Sequence, residues 1–213
     1  MYKGAIFDMD GTLLDSMHMW RTLGSSFLKE HGIVVTDELF HQLEHMRLEE
    51  AARYFAENYE QFRDLTVEQA FNYWFKKIGD EYRTNIKVKG HSDEFLRYLK
   101  SKGVKTAVAS VTDKPLIKTA LSKHNMLDCF DYITCTGEVG RDKHFPDIYF
   151  KCMNSLGLEI SECTVFEDSL YAAKTASAAG FHTVGMFDKY TSGSEAEFAA
   201  ACDIVVHDWR ELI

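Results

Sequence analysis

Short, continuous apolar runs alternate with longer segments of helical period over most of the chain. The runs are Gly4–Met9, Thr106–Ser110, Tyr132–Thr136, Thr164–Glu167, His182–Met186 and Asp203–Val206. They are continuous rather than alternating, as expected of strands covered on both faces in a parallel sheet. Between the later runs, periodicity and punctuation predict helices. Ser92 opens one that ends before Gly103, Pro115 stands near the start of another, and Ser169 begins a run to Ala179 that stops at Gly180. Strand alternating with helix predicts an α/β domain built on a doubly wound parallel sheet.

The interval from about Ser16 to Asn85 breaks this rhythm, with several amphipathic helices and no strand pattern. The clearest helix follows Thr66 and carries Phe71, Trp74, Phe75 and Ile78, spaced to share one face. So long an excursion predicts a helical insert and not a loop. The expected division is a core of residues 1–15 and 86–213 with an insert of residues 16–85. Doubly wound sheets bind ligands at the carboxyl ends of their strands, and the insert is expected to overhang that edge.

Composition narrows the picture by exclusion. With 213 residues, 46% hydrophobic and 27% charged, the chain can bury a sizeable core and is not a disordered sequence. A net charge of −9 argues against a nucleic-acid partner, which calls for a basic face. Cys129, Cys135, Cys152, Cys163 and Cys202 are odd in number and form no CxxC pair. They read as reduced, mostly buried thiols of a cytoplasmic protein. The N-terminus lacks the pattern of a signal peptide, and no apolar run reaches the roughly 18 residues of a membrane span.

Candidate chemistry gathers at the ends of the predicted strands. Asp8-Met9-Asp10-Gly11-Thr12 follows the first strand, where two carboxylates can reach one point beyond the sheet. Alone, it is equally a polar turn. Ser110 ends the second core strand; its hydroxyl suits a phosphoryl oxygen or a helix start, although Thr112 or Asp113 would cap better. Lys143 lies in Arg141-Asp142-Lys143-His144-Phe145-Pro146-Asp147, where an isolated lysine would simply be solvated. Glu167 and Asp168 end a hydrophobic strand, and adjacent acids there repel each other unless a cation or hydrogen-bond donors offset them. Magnesium, a hard ion that favours oxygen ligands, suits that place.

These four pieces, in this order, resemble the haloacid dehalogenase-like hydrolases. The closer resemblance is to the β-phosphoglucomutase-like group, which has a small helical cap between its first and second motifs and includes many sugar-phosphate phosphatases. Asp8–Thr12 matches motif one, Ser110 motif two, Lys143 motif three and Glu167-Asp168 motif four. The stretch from Phe166 to Gly180 resembles the family's Glu-Asp-Ser run leading to Ala-Ala-Gly. The resemblance implies a Rossmann-like core with an α-helical cap inserted after the first strand. It implies Asp8 as nucleophile, forming an aspartyl-phosphate, and Asp10 as general acid and base. Mg²⁺ would be held by Asp8, the main-chain carbonyl of Asp10 and Asp168, with Glu167 in or near the shell. Lys143 and Ser110 would hold phosphoryl oxygens, helped by main-chain N–H groups near Met9 and Val111. An acid at Asp10 favours phosphoryl transfer, because a halide leaving group needs no proton. The implied partner is a small phosphorylated metabolite, a sugar phosphate foremost, and a monomer is compatible with this design.

A phosphomutase is the alternative, and the departures from its pattern favour hydrolysis. Trp20 stands where the mutase pattern has a histidine, and His18 is offset by two residues. In the cap, His45-Met46-Arg47-Leu48-Glu49-Glu50 places its arginine out of the mutase register. Arg47 and His45, with His41 and Arg53, are candidate substrate contacts or equally solvated helix residues. Trp20 and Trp74 read as core. His144 stands where motif three usually has proline, which removes a backbone restraint beside Lys143.

Overall fold

The computed structural model describes residues 2–213 apart from 31, 35, 44, 45, 63, 65 and 192, and gives only the backbone of 23–27, 30, 37, 40 and 41. Six strands appear: β1 Gly4–Phe7, β2 Lys105–Ser110, β3 Tyr132–Cys135, β4 Cys163–Glu167, β5 His182–Met186 and β6 Ile204–Val206. All pair in parallel, in the order β3-β2-β1-β4-β5-β6. The helices are α1 Met17–Glu30, α2 Asp37–Leu43, α3 Leu48–Asn58, α4 Val67–Thr84, α5 Ser92–Ser101, α6 Lys114–Lys123, α7 Asp147–Leu156, α8 Leu170–Ala178 and α9 Glu195–Ala201. The apolar runs thus mark the strands, as expected for a sheet buried on both sides.

The two faces of the sheet carry separate cores. On one, Phe7 and Phe166 stack at 4.4 Å and Phe95 stacks on Trp209 at 5.5 Å. On the other, Ile6, Ala107 and Val165 pack with Ile148, Tyr149 and Phe181. Register matters most at the centre. Phe7 pairs with Val108 on one side and Phe166 on the other, so the next residue, Asp8, stands level with the ends of β2 and β4.

Between β1 and α5 come the four helices α1–α4. The chain leaves and returns side by side: the Asp15 N–H donates to the Lys87 carbonyl at 2.9 Å, and the Lys89 N–H to Leu13 at 2.9 Å. Helix α4 begins where Thr66 predicts. The Thr66 hydroxyl accepts the Gln69 N–H and the Gln69 side chain accepts the Thr66 N–H, a reciprocal cap. Its buried face is Ala70, Trp74, Ile78 and Tyr82, turned slightly from the predicted one. Phe71 and Phe75 lie at the edge of that face and pack on each other at 5.5 Å. Helix α4 packs on α3 and on α6. Four of the five cysteines are buried and Cys129 is half-buried. Among the described residues, no helix is long and apolar enough to cross a membrane.

Candidate active site

The site forms where β1, β2 and β4 end. After Asp8 the chain turns sharply, with the N–H groups of Leu13 and Leu14 donating to the Met9 carbonyl at 2.9 and 3.0 Å. Gly11 has φ +83°, and a Cβ there would come within 1.9 Å of the Asp168 Oδ2. Only glycine lets the turn close on that carboxylate. The Thr12 hydroxyl then donates to Asp168 Oδ1 at 3.2 Å, and the Trp209 indole N–H donates to the Thr12 carbonyl at 3.0 Å from below.

Lys143 bridges the first and fourth motifs. Its Nζ lies 2.5 Å from Asp8 Oδ1 and 2.7 Å from Glu167 Oε1, and the residue is only 2% exposed. The Tyr149 hydroxyl donates to the same Glu167 oxygen at 2.8 Å. Glu167 Oε2, by contrast, is buried without a hydrogen-bond partner. Asp8, Glu167 and Asp168 each offer a carboxylate oxygen, all within 4.8 Å of one another.

Burial drives the Asp8 carboxyl well above its ordinary pKa against the pull of Lys143, and the neighbouring acids push the same way. Burial likewise raises Asp168 to about 7, opposed by Lys89. For Lys143 burial acts downward, but Asp8 and Glu167 outweigh it and hold the ammonium above its usual value. Lys143 binds two of three crowded carboxylates, Lys89, itself paired with Asp188, acts on the third, and one of the three has an unsatisfied buried oxygen. That surplus of negative oxygen fits a hard divalent cation.

Asp10 is held differently. Its Oδ1 accepts from the Ser16 and Tyr82 hydroxyls, each at 2.6 Å, and its Oδ2 from Thr112 at 2.7 Å. Tyr82 is fully buried on α4, so a helix from between β1 and α5 holds a carboxylate at the end of the sheet. Ser110 is buried and accepts the Thr112 N–H at 3.1 Å.

A cavity of about 190 Å³ opens over these groups, and Asp8, Asp10, Ser110, Val111, Lys143, Glu167 and Asp168 all line it. Arg47 does not. Its guanidinium and N–H bind Glu50 at 2.8–3.0 Å, and its side chain lies beside Gly137. His45 lies outside the described residues, as does the side chain of His41. Trp74 belongs to the buried core and Trp20 packs against it, as expected, and both also border the cavity; Trp74 stacks on Phe55 at 6.2 Å. The restraint that proline would give beside Lys143 comes from elsewhere. The His144 ring stacks on Tyr171 at 4.5 Å, and the main-chain N–H of His144 donates to Asp142 Oδ1 at 3.0 Å. Sequence reasoning missed Tyr82, Ser16, Thr112 and Tyr149 as partners of the acids. Thr112 and Ser16, flanking motifs two and one, were the findable ones.

Comparison with known proteins gives a consistent frame. The family model of the haloacid dehalogenase-like hydrolases matches residues 5–186. A validoxylamine A 7'-phosphate phosphatase from Streptomyces hygroscopicus subsp. limoneus is 27% identical, over 100% of this chain and 96% of its own. The structure of CbbY from Rhodobacter sphaeroides in complex with phosphate superposes with a TM-score of 0.79 at 21% identity, covering 100% of this chain and 96% of that one. A β-phosphoglucomutase from Clostridium difficile superposes with a TM-score of 0.77 at 20% identity, over 100% and 94%. At those identities the two structures speak for the fold, and the family model decides the membership. The chain belongs to the haloacid dehalogenase-like hydrolases.

Proposed function

We propose that this chain is a magnesium-dependent phosphatase that removes the phosphoryl group of a small phosphorylated metabolite through an aspartyl-phosphate on Asp8. The observation that carries this reading is the setting of Asp8. It ends the central strand 2.5 Å from the Lys143 ammonium, inside a buried acidic cluster, with Asp10 on the same cavity. An Asp8 oxygen attacks phosphorus as the ester oxygen leaves, and Asp10 gives that oxygen its proton. Asp10 then takes a proton from the water that attacks the aspartyl-phosphate, releasing phosphate and restoring the Asp8 carboxylate. Lys143 and Ser110 hold the phosphoryl oxygens, with the main-chain N–H groups near Met9 and Val111. Asp8, Asp168 and the Asp10 carbonyl, with Glu167 alongside, would hold Mg²⁺, whose charge offsets that of carboxylate and phosphoryl group.

Helices α1–α4 act in this reading as a cap over the strand ends, joined to the core at residues 13–15 and 87–89. Hydrolysis is favoured over a mutase reaction because Trp20 offers the cavity an apolar ring where the mutase pattern has a titratable one. The activity named for the Streptomyces relative points the same way. The test is release of p-nitrophenol from p-nitrophenyl phosphate with Mg²⁺ and its loss in EDTA. Absence of turnover on that ester and on a broad panel of phosphomonoesters overturns the proposal.

A further inference from the structure

We infer that the substrate's leaving group is apolar, a single ring or short branched chain, and not the polyhydroxylated sugar that the family resemblance suggests. This rests on the phosphatase reading and adds to it a chemical class. The cavity has two unlike walls. Its floor is the charged strand-end site, with Ser169 following Asp168 there. The wall facing that floor is made by Trp20, Leu43, Met46, Leu48, Phe55 and Trp74, contributed by α1–α4 and the turn before α3. Among the described residues, helices α1–α4 and the turn before α3 bring one charged side chain to the cavity, Arg21. Arg21 is exposed there, reaching the Tyr190 carbonyl at 3.5 Å and lying 5.8 Å from that ring. From the core side, Asp113 faces Arg47 and Tyr171 is stacked by His144.

A phosphoryl group seated on the floor therefore points its ester carbon at aromatic and aliphatic surface. A sugar placed there would turn hydroxyls onto carbon and lose their bonds to water, at roughly tenfold in affinity for each one left unpaired. A hydrocarbon of the same shape gains on burial, roughly fourfold for each methylene group removed from water. Size agrees with a modest leaving group. An apolar cavity of about 150 Å³ takes up benzene, and here about 190 Å³ serves the phosphoryl group as well.

Cyclohexylmethyl phosphate and glucose 6-phosphate form a matched pair for the test. Each has a six-membered ring on a primary phosphate ester, and they differ in the ring oxygen and hydroxyls. Two readouts are taken: kcat/KM with Mg²⁺ on the wild-type chain, and calorimetric binding of both esters to Asp8→Asn. The expected result is at least about a tenfold preference for the cyclohexylmethyl ester in both. Equal or better use of glucose 6-phosphate overturns the inference while leaving the phosphatase reading intact. The expected binding preference without turnover of either ester upholds the inference and sinks the phosphatase reading. Leu48→Asn, at a partly exposed position opening α3, is expected to shrink the preference by at least about threefold. An unchanged ratio in that variant also counts against the apolar wall as the selecting surface.

Discussion

On the cavity floor the charged side chains are tied to neighbours by short directional bonds. Lys143 binds Asp8 and Glu167, Thr12 binds Asp168, and Asp10 receives three hydroxyls. On the roof, the cavity is lined by the aromatic and aliphatic side chains of Trp20, Leu48, Phe55 and Trp74. The floor inherits its geometry from strand register: Ser110 pairs with Cys135, Glu167 with Gly185, and Asp8 follows the paired Phe7 with its N–H bonded to the Phe166 carbonyl. Helices packed by burial build the roof, and burial is not directional. In the proposed reaction a wall of the first kind would fix the chemistry, and one of the second would sort leaving groups while tolerating exchange of one apolar residue for another.

Substitutions on the two walls should therefore differ in size and in kind. The largest effect is expected from Asp8→Asn, which removes the proposed nucleophile: steady-state turnover falls by at least about 10³-fold. Its circular dichroism and melting temperature are expected to match or exceed those of the wild type without metal, because burial already disfavours the charge. Wild-type-like turnover in that variant would remove Asp8 from the reaction. Next comes the metal. EDTA is expected to abolish turnover and Mg²⁺ to restore it, with Asp168→Asn needing at least about tenfold more Mg²⁺ for half-maximal rate. A magnesium titration of both proteins checks this.

Tyr82→Phe keeps the buried ring and deletes one bond to Asp10. A fall in kcat of about tenfold with KM within about twofold is expected, together with an altered pH profile that a purely packing role would not produce. A rise in KM alone would place Tyr82 with the roof. The smallest effect belongs to Arg47→Ala. Its pairing with Glu50 is largely solvent-facing, so kcat/KM should change by less than about twofold and stability by under about 1 kcal/mol. A larger kinetic loss would bring Arg47 into substrate binding after all.

The floor was legible in the sequence because its members end strands that announce themselves as apolar runs. Asp8 and Asp10 lie two residues apart at one strand end, and Glu167-Asp168 closes another. Their partners were not legible for a physical reason. Tyr82 falls on the buried face of α4 beside Trp74 and Ile78, and helical period assigns it to a core without saying that its hydroxyl finds Asp10 across 72 positions of sequence. Tyr149 is hidden in the same way on α7. Trp20 and Trp74 carry the opposite lesson: amphipathic spacing marks a side chain as inward-facing, whether it meets packed atoms or a cavity. His144 shows that a lost proline is no lost restraint when a ring such as Tyr171 lies within stacking distance.

The measurement that tests the central claim most directly is acid-quench trapping of the enzyme during turnover with Mg²⁺ and excess phosphomonoester, followed by peptide mass spectrometry. The account predicts one acid-stable, hydroxylamine-labile phosphoryl adduct on the peptide containing Asp8, absent from Asp8→Asn. A phosphoryl group on any other side chain of the wild-type enzyme, or an identical adduct in Asp8→Asn, would contradict it.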